Sequence, residues 1–270
     1  MIIPELHRKP VAIDREKHRK TVLRVPVQDW APIARTNAIF VSAAEIPSLA
    51  SEYPIVFIKA GQDDKGQTDY APIAVLGMAQ GENLYVDGAQ WRATRLPSQL
   101  AMYPLCVARV KEDRYAVCLD ESWDGVAAEG PGERLFDDAA EPTAFTQRMQ
   151  ATLEKIEVQV EQTRQVGRRL AALDLLRERR FDATLPDGRK LGVDGFFMVD
   201  EERFKALTDA QVLALHREGV LGLIHAHWIS SSHMRRLLHW RVERDRAAAA
   251  AGTAGSAGEP AVGPAASPAG

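Results

Sequence analysis

Two segments fifty residues apart decide the fold of this chain: residues 46–57 read IPSLASEYPIVF and residues 96–107 read LPSQLAMYPLCV. The two segments keep a serine, a tyrosine and both prolines in the same register. A stretch that recurs at a fixed offset is an architectural unit, so we interpret the pair as an internal near-repeat. None of the recurring residues is of a type that we expect to act as a nucleophile, a base or a metal ligand.

Each copy predicts a short helix followed by an antiparallel hairpin. In the first copy, residues 43–52 form the helix, residues 54–59 and 73–77 form the strands, and residues 61–69 form a polar loop. Residues 20–41 precede this copy and favour edge strands, because two prolines interrupt short apolar runs and proline cannot donate to a sheet ladder.

The second copy predicts a helix over residues 97–102 and strands over residues 105–111 and 115–120, with a turn at residues 112–113. A further strand over residues 83–88 ends in a turn signal and links the copies. We therefore expect a mostly antiparallel sheet with pseudo-twofold internal symmetry.

The rear of the chain has a helical pattern from Glu141 to about Arg180, where apolar residues recur at spacings of three and four. Gly167 lies inside this pattern and weakens the helix, so we expect a kink or a tight helix contact there. A hairpin over residues 181–199 follows and turns at Asp187-Gly188, a dipeptide that readily adopts positive φ.

The final elements are helical. Thr208-Asp209-Ala210-Gln211 is a capping box, and its helix ends before Gly219. One last helix is predicted from Val220 to about Val242. From Ala247 onward the chain is mostly Ala, Gly, Pro and Ser, a composition that buries too little surface to offset its ordering entropy.

The predicted fold class is α+β, with a β-rich half over residues 1–140 and a helical half with one hairpin over residues 141–246. Residues 247–270 form a disordered tail in this interpretation. A chain of 270 residues with 46% hydrophobic content can bury a substantial core.

Composition and charge exclude several function classes. The net charge is −3, no nucleic-acid-reading module accompanies the arginines between Arg235 and Arg246, and we expect no nucleic-acid partner. No apolar run is long enough for a membrane span or a signal peptide, so we expect neither. The two cysteines lie in apolar runs, and a reducing cytoplasm is the expected location.

Five of the seven histidines lie between His216 and His239, but their spacing does not favour a metal site. His225 and His227 point to opposite sides of a helix, and no carboxylate occurs between residues 219 and 242. We therefore expect no metal. Ser230 and Ser231 follow His227 by three and four residues, which allows a catalytic interpretation, whereas a hydrogen-bonded structural histidine is the simpler one.

Aromatic and acidic residues offer further candidates. Core packing explains the front-half aromatics well, although they could also line a ligand pocket; they are Tyr53, Tyr85, Trp91, Tyr103 and Trp123. Acidic groups occur at Asp63-Asp64, Asp137-Asp138 and Asp200-Glu201-Glu202, and such groups more often cap helices or stay solvated than serve as acid and base. No glycine-rich phosphate motif is present, and no cofactor is expected.

With these landmarks in place, the chain resembles the bacterial SapC family from about Val11 to Leu238. The matching positions are Arg15, His18, Tyr53-Pro54-Ile55-Val56-Phe57, Leu76-Gly77, Glu82-Asn83-Leu84, Val86-Asp87, Trp91, Tyr103-Pro104, Leu135-Phe136-Asp137-Asp138, Glu141-Pro142-Thr143, Asp187-Gly188, Gly195-Phe196, Val199-Asp200-Glu201, Leu215-His216-Arg217, Leu223-Ile224, Ala226-His227 and Arg236-Leu237-Leu238. Ala140 departs from the glycine expected there, and the loop over residues 61–69 is longer than usual.

The resemblance implies little about mechanism, because the family is named for a surface-layer association and has no established catalytic residues. A peptide-transport permease shares the name, but this chain lacks its spans. Members of the family are often encoded near outer-membrane receptors and flavin-dependent halogenase-like proteins, so the resemblance implies a role in nutrient uptake or processing.

Three hypotheses remain open. The leading one is a cytoplasmic binding or accessory protein with a small-molecule or protein partner, and its candidate ligand-binding residues are His18, Tyr53, Trp91, Tyr103 and His227. The second is a surface-layer structural protein at the cell surface. The third is an enzyme in which His18, His227 and the Asp200-Glu201 pair converge.

Overall fold

The computed structural model describes residues 2–62, 65–111 and 114–256, with the backbone alone for residues 109–111, 114–115 and 251–256. Its strands are β1 (Pro10–Ala12), β2 (Val22–Leu23), β3 (Ala38–Phe40), β4 (Ile55–Gln62), β5 (Thr68–Val75), β6 (Val86–Asp87), β7 (Gln90–Trp91), β8 (Leu105–Lys111), β9 (Arg114–Asp120), β10 (Val126–Ala127), β11 (Glu133–Arg134), β12 (Leu176–Thr184) and β13 (Lys190–Val199). Its helices are α1 (Ile46–Leu49), α2 (Ser98–Ala101), α3 (Ala144–Ala172), α4 (Glu201–Lys205), α5 (Asp209–Arg217), α6 (Val220–Ser230) and α7 (His233–Ser256), and a 3-10 turn spans Ala31–Ile33.

The largest sheet has five antiparallel strands in the order β12-β13-β4-β5-β3. It combines strands from both predicted halves, so the sheet continues across the expected division at residue 140. Smaller sheets contain β1, β9 and β8; β10, β2 and β11; and β6 with β7. The α+β class with antiparallel pairing and a helical C-terminal half is confirmed.

Both copies of the near-repeat form a short helix followed by an antiparallel hairpin: α1, β4 and β5 in the first, and α2, β8 and β9 in the second. The two hairpins lie in different sheets. Strand β13 pairs with β4 of the first copy through Phe197 and Phe57. Strand β9 of the second copy pairs with β1 instead, so each copy belongs to its own sheet. The turn expected at residues 112–113 lies outside the described residues, and the twofold relation between the copies stays a prediction.

Helix α3 begins after Thr143, whose side chain accepts a hydrogen bond from the Thr146 amide. Its predicted end near Arg180 is wrong, because the chain leaves the helix at Ala172 and Asp174 adopts a left-handed φ of 54°. Leu176, which matched the helical period, instead pairs with Val199 in the sheet. Strand pairing between distant segments therefore overrides the local pattern.

The single helix expected over residues 220–242 is also wrong, because the chain breaks between α6 and α7. Three consecutive hydroxyls, those of Ser230, Ser231 and Ser232, donate to the carbonyls three residues earlier, at 2.6, 2.7 and 2.9 Å. Serine side chains compete in this way with the backbone hydrogen bonds of a helix. The corner between α6 and α7 lies at these serines.

Helix α7 runs to Ser256 and so enters the segment expected to be disordered from Ala247. Alanine is the best helix former, and extension of an existing helix avoids the cost of nucleation. Residues 257–270 lie outside the described residues. Within the described ranges, no helix is both long and apolar enough to cross a membrane.

The largest apolar cluster of the core joins the face of the five-stranded sheet to α1, α7 and the loop that contains β6. A second cluster lies under β8, β9 and the first half of α3. The third lies between β13, the end of α3, α5 and α6. Each cluster contains residues from both predicted halves of the chain.

Two local features of the sequence have clear explanations. Ala140, where the family resemblance leads us to expect glycine, adopts a left-handed φ of 62°, a conformation that glycine reaches at no steric cost. The capping box at Thr208 and Gln211 and the positive φ of Gly188 in the rear hairpin are confirmed.

Gly167 provides the tight contact predicted from its place in α3. A Cβ atom at this position would lie 2.1 Å from the carbonyl oxygen of Tyr70 in β5. One residue further on, Nε of Arg168 donates to Oδ1 of Asp69 at 2.6 Å. Helix α3 therefore approaches the backbone of β5 directly and is held there by a partly buried ion pair.

We predict that Gly167→Ala lowers the free energy of unfolding by about 2 kcal/mol or more, because the methyl group must push α3 away from β5. Gly222→Ala is the matched control, since Gly222 also lies in a helix but has open space around its Cβ position. The control should be neutral or stabilise by up to about 1 kcal/mol. Urea unfolding of both variants measures the difference, and equal stabilities would contradict the proposed contact.

Candidate functional site

His227 is fully buried in α6 beside the place where β4 and β13 meet. Its Nδ1–H donates to the carbonyl of Ile55 at 2.8 Å, and its Nε2 accepts from the amide of Val199 at 3.2 Å. Strands β4 and β13 are registered only through Phe57 and Phe197. The imidazole therefore bridges the two hairpins where their own ladder is short.

Neighbouring side chains on α6 complete this bridge. Oγ of Ser230 accepts from the Ile55 amide at 3.0 Å, and Nε1 of Trp228 donates to the Val199 carbonyl at 2.8 Å. Both backbone groups of Ile55 and both of Val199 are thus paired with side chains of one helix. Buried polar groups of the backbone need such partners, and here a helix supplies what a strand would otherwise supply.

The environment of His227 favours the neutral ring. Burial lowers its pKa from 6.5 to about 4, and one nitrogen donates while the other accepts, as a single neutral tautomer requires. The Ser230 hydroxyl donates to the His227 carbonyl and not to the ring. Asp200 caps α4 through the Arg203 amide and pairs with Arg179, so these residues form no catalytic triad.

His18 lies in a different part of the molecule, where it is buried under the N-terminal segment. Its Nδ1 accepts from the Asp14 amide at 2.9 Å, and its Nε2 lies 3.2 Å from Oε1 of Glu121. Lys17 and Lys9 also pair with Glu121, and these two ammonium groups hold the pKa of Glu121 at about 2. The cluster ties the N-terminal segment to the loop that follows β9.

Tyr53 and Trp91 lie in one aromatic cluster with Tyr85. Tyr53 and Tyr85 stack with their ring centroids 4.6 Å apart, and both are fully buried. Nε1 of Trp91 donates to the Tyr53 hydroxyl at 2.9 Å, and that hydroxyl in turn donates to the Arg95 carbonyl. Burial raises the pKa of both tyrosines above the ordinary value of 10. This cluster is part of the core.

Tyr103 follows α2 and belongs to the same apolar cluster as Tyr53, with a contact set of its own. Its hydroxyl donates to Oδ2 of the buried Asp120 at 3.0 Å, and its ring contacts His7 and Trp123 edge-on. Of the five residues singled out from the sequence, Tyr53 and Trp91 are hydrogen-bonded and Tyr103 shares their apolar cluster, whereas the two histidines lie elsewhere. Their joint role as a ligand site stays a prediction, whereas each has a role in the core that its own contacts explain.

Three of the arginines between Arg235 and Arg246 contact other parts of the chain. Arg241 pairs with the partly buried Glu82 at 3.1 Å, and Arg244 donates to the Asn83 and Val86 carbonyls. The guanidinium of Arg236 lies over the Trp240 ring. These contacts hold α7 against the loop before β6, which accounts for an arginine cluster that sequence alone leaves open to a phosphate-binding interpretation.

A cavity of about 870 Å³ lies between the N-terminal segment and β3, and we name it the β3 groove. Its size is in the range of ligand-binding clefts. The side chains that matter for recognition come from both walls and are Ile2, Glu5, Arg35, Thr36, Phe40 and Gln80. Of the sequence signals, only the prediction of edge strands over residues 20–41 pointed to this region.

The backbone of β3 has one paired side and one open side. The Leu76 amide donates to the Asn37 carbonyl at 2.8 Å, and the Val41 amide donates to the Pro72 carbonyl at 3.1 Å. Because backbone groups alternate along a strand, the amides and carbonyls of Ala38 and Phe40 face away from β5. Both residues line the β3 groove.

Two polar side chains beside this edge, those of Arg35 and Thr36, lack a partner within the described residues. Oγ1 of Thr36 is buried and has no hydrogen-bond partner among the described residues. Arg35 is exposed and forms no ion pair within the described ranges, while Glu5 lies on the opposite wall. Buried hydroxyl groups normally have a hydrogen-bond partner, so the Thr36 hydroxyl marks this part of the groove wall as incompletely satisfied.

The protein is therefore an α+β protein whose main antiparallel sheet takes strands from both halves of the chain. The edge strand β3 of this sheet borders a cleft. The model of the SapC family matches residues 13–237, so this chain belongs to the SapC family. No curated protein and no solved structure matches the chain.

We predict that His227→Ala lowers the free energy of unfolding by about 3–5 kcal/mol, because it leaves two buried backbone groups unpaired and opens a cavity. His239→Ala is the control, because His239 is exposed and its one ion pair among the described residues is with Glu243 on the same helix. The control should change stability by less than about 0.5 kcal/mol. Chemical unfolding at pH 7.5 provides the comparison.

The pH dependence of the free energy of unfolding provides a second, independent test of the environment of His227. Below pH 6.5 the unfolded chain takes up a proton that the folded ring takes up only near pH 4. Stability that is complete above pH 6.5 is therefore lost between pH 6.5 and about 4, by about 3 kcal/mol for this group. The alanine variant should lack this part of the slope, and identical slopes in both proteins would refute a buried neutral His227.

Proposed function

We propose that this protein is a binding protein that takes an extended peptide segment of a partner along the open edge of β3. The observation that carries the proposal is the unpaired side of β3, which faces a groove of about 870 Å³. An edge strand with free amides and carbonyls is a ready template for another strand. Peptide recognition by strand addition uses such an edge.

The backbone of β3 would supply the main affinity. Ala38 and Phe40 each offer one amide and one carbonyl on the open side, which makes four hydrogen-bonding groups in register with a partner strand. Side chains of the partner would then alternate between the groove and solvent. Ile2, Pro4 and Phe40 give the groove apolar surface for the inward ones.

Charge and polarity favour an acidic group at one end of the peptide. Arg35 borders the groove without an ion pair in the described part of the chain, and Thr36 lies beside it. An arginine fork binds a carboxylate in two parallel hydrogen bonds. A peptide with an Asp, a Glu or its own C-terminal carboxylate next to Arg35 fits this arrangement.

The wider role follows the family context and is also a proposal. We propose a cytoplasmic accessory protein that acts with a protein partner in nutrient uptake or processing, which is what the resemblance implies. A structural role at the surface layer would require the chain to be exported. Immunodetection of the intact chain in fractionated cells separates the two, since a surface-bound fraction would contradict the cytoplasmic location.

Selection of a random heptapeptide library on the purified protein tests the binding proposal. We expect enriched sequences with alternating β-branched residues and a carboxylate, and Ala38→Pro should weaken their binding by about tenfold or more. Proline at residue 38 removes an outward amide and leaves the ladder to β5 intact, because that amide faces the groove. Arg35→Glu should weaken binding of the same peptides, whereas Arg24→Glu, an exposed arginine outside the groove, should not.

Methylation of alternate peptide amides provides the geometric control. In strand addition only one of the two sets of amides faces β3, so one methylated peptide should lose binding and the other should retain it. Equal effects of both sets, or unchanged binding to a folded Ala38→Pro variant, would contradict strand addition. A library that yields no specific sequence would also count against it.

A further inference from the structure

A second cavity, which we name the arginine pocket, lies between the five-stranded sheet and the corner that joins α6 to α7. Its volume is about 510 Å³, within the range of small-molecule sites. None of its lining residues lines the β3 groove. It therefore has to be explained independently of the peptide edge.

The floor of the arginine pocket is apolar. Val56 of β4, Phe196 of β13 and Met234 of α7 are buried beneath it, and Phe181 and Met198 are half-buried on its sides. Three strands and one helix thus present hydrocarbon surface to one cavity. An alkyl or aryl group placed there would remove that surface from water, at about 25 cal/mol per Å².

The polar residues at the mouth of the pocket are mainly basic. Arg179, Arg180 and Arg235 line it, and no carboxylate does. Arg179 pairs with Asp200 at 2.6 Å, and Arg180 pairs with Asp182 at 2.7 Å and with Asp194 at 3.0 Å.

Arg235 differs from the other two arginines. It is exposed in the first turn of α7, and its guanidinium has no ion pair within the described ranges. The hydroxyls of the two serines at the mouth are not available to donate to a ligand, because they already donate to backbone carbonyls. Ser231 donates to Trp228, and Ser232 donates to Ile229. The charge available to a ligand is therefore that of Arg235.

We propose that the arginine pocket binds a small apolar carboxylate, with the alkyl or aryl part on the floor and the carboxylate paired with Arg235. The combination of an apolar cavity and one free guanidinium selects an amphipathic anion over a neutral or cationic ligand. A polar sugar would leave the floor without apolar contacts, and a cation would be repelled by the unpaired charge of Arg235.

Isothermal calorimetry with three probes of equal chain length tests the charge preference. Decanoate should bind wild-type protein at least about tenfold more tightly than decanol, and decylammonium should bind more weakly than both. Arg235→Gln should reduce the preference for decanoate over decanol to less than about threefold. Arg148→Gln, an exposed arginine of α3 outside the pocket, should keep the wild-type preference.

Methionine methyl resonances locate the ligand. Met198 and Met234 line the arginine pocket, whereas Met102 and Met149 line a separate apolar cavity of about 380 Å³ near α2 and α3. Saturable shifts of the Met198 and Met234 methyl groups with decanoate would support the proposal. Shifts confined to Met102 and Met149, no saturable binding, or an unchanged preference in a folded Arg235→Gln variant would overturn it.

Discussion

The imidazole of His227 bridges β4 and β13, and this contact sets how the two long hairpins and the C-terminal helices are arranged. Through this ring and its neighbours Ser230 and Trp228, helix α6 satisfies backbone groups of both β4 and β13, and so the rear hairpin joins the front hairpin in one sheet. Because β13 occupies one side of the front hairpin, β3 remains as the open edge on the other. The same packing sets the α6–α7 corner over the sheet and encloses the arginine pocket.

Much of the fold could be predicted because its signals are local. The Asp187-Gly188 turn and the capping box at Thr208 specify their own conformation, and each is found where the sequence predicts it. The Tyr-Pro segments predict the order of helix and hairpin, but the bounds of the first hairpin are wrong, because β4 and β5 extend into the loop expected over residues 61–69. The errors arise where distant contacts decide. Leu176 fits a helical period and a strand equally well, and only its pairing with Val199 assigns it to β12. The break between α6 and α7 coincides with three serine hydroxyls that bond to the backbone. The apolar residues keep a helical period across this point, so the pattern alone predicts one continuous helix.

The candidate sites were harder to predict, because cavities arise where distant segments meet. His227 stands out in the sequence, but its partners Ile55 and Val199 show that it holds strands together and does not face a cleft. Arg35 and Thr36 carry no motif, and they become a site only because the N-terminal segment lies opposite β3. Arg235 belongs to a cluster whose other members Arg241 and Arg244 bind the protein itself, so its availability is visible only in three dimensions.

The most direct test of this account is a nitrogen-15 NMR spectrum of the His227 ring at pH 6. We expect a neutral tautomer with the proton on Nδ1, since Nδ1 donates to Ile55 and Nε2 accepts from Val199. Two well-separated ring nitrogen signals, with the Nδ1 signal at the protonated position, are the expected result. A protonated ring, an Nε2–H tautomer or rapid exchange between forms would contradict the bridge and, with it, the arrangement of the two hairpins.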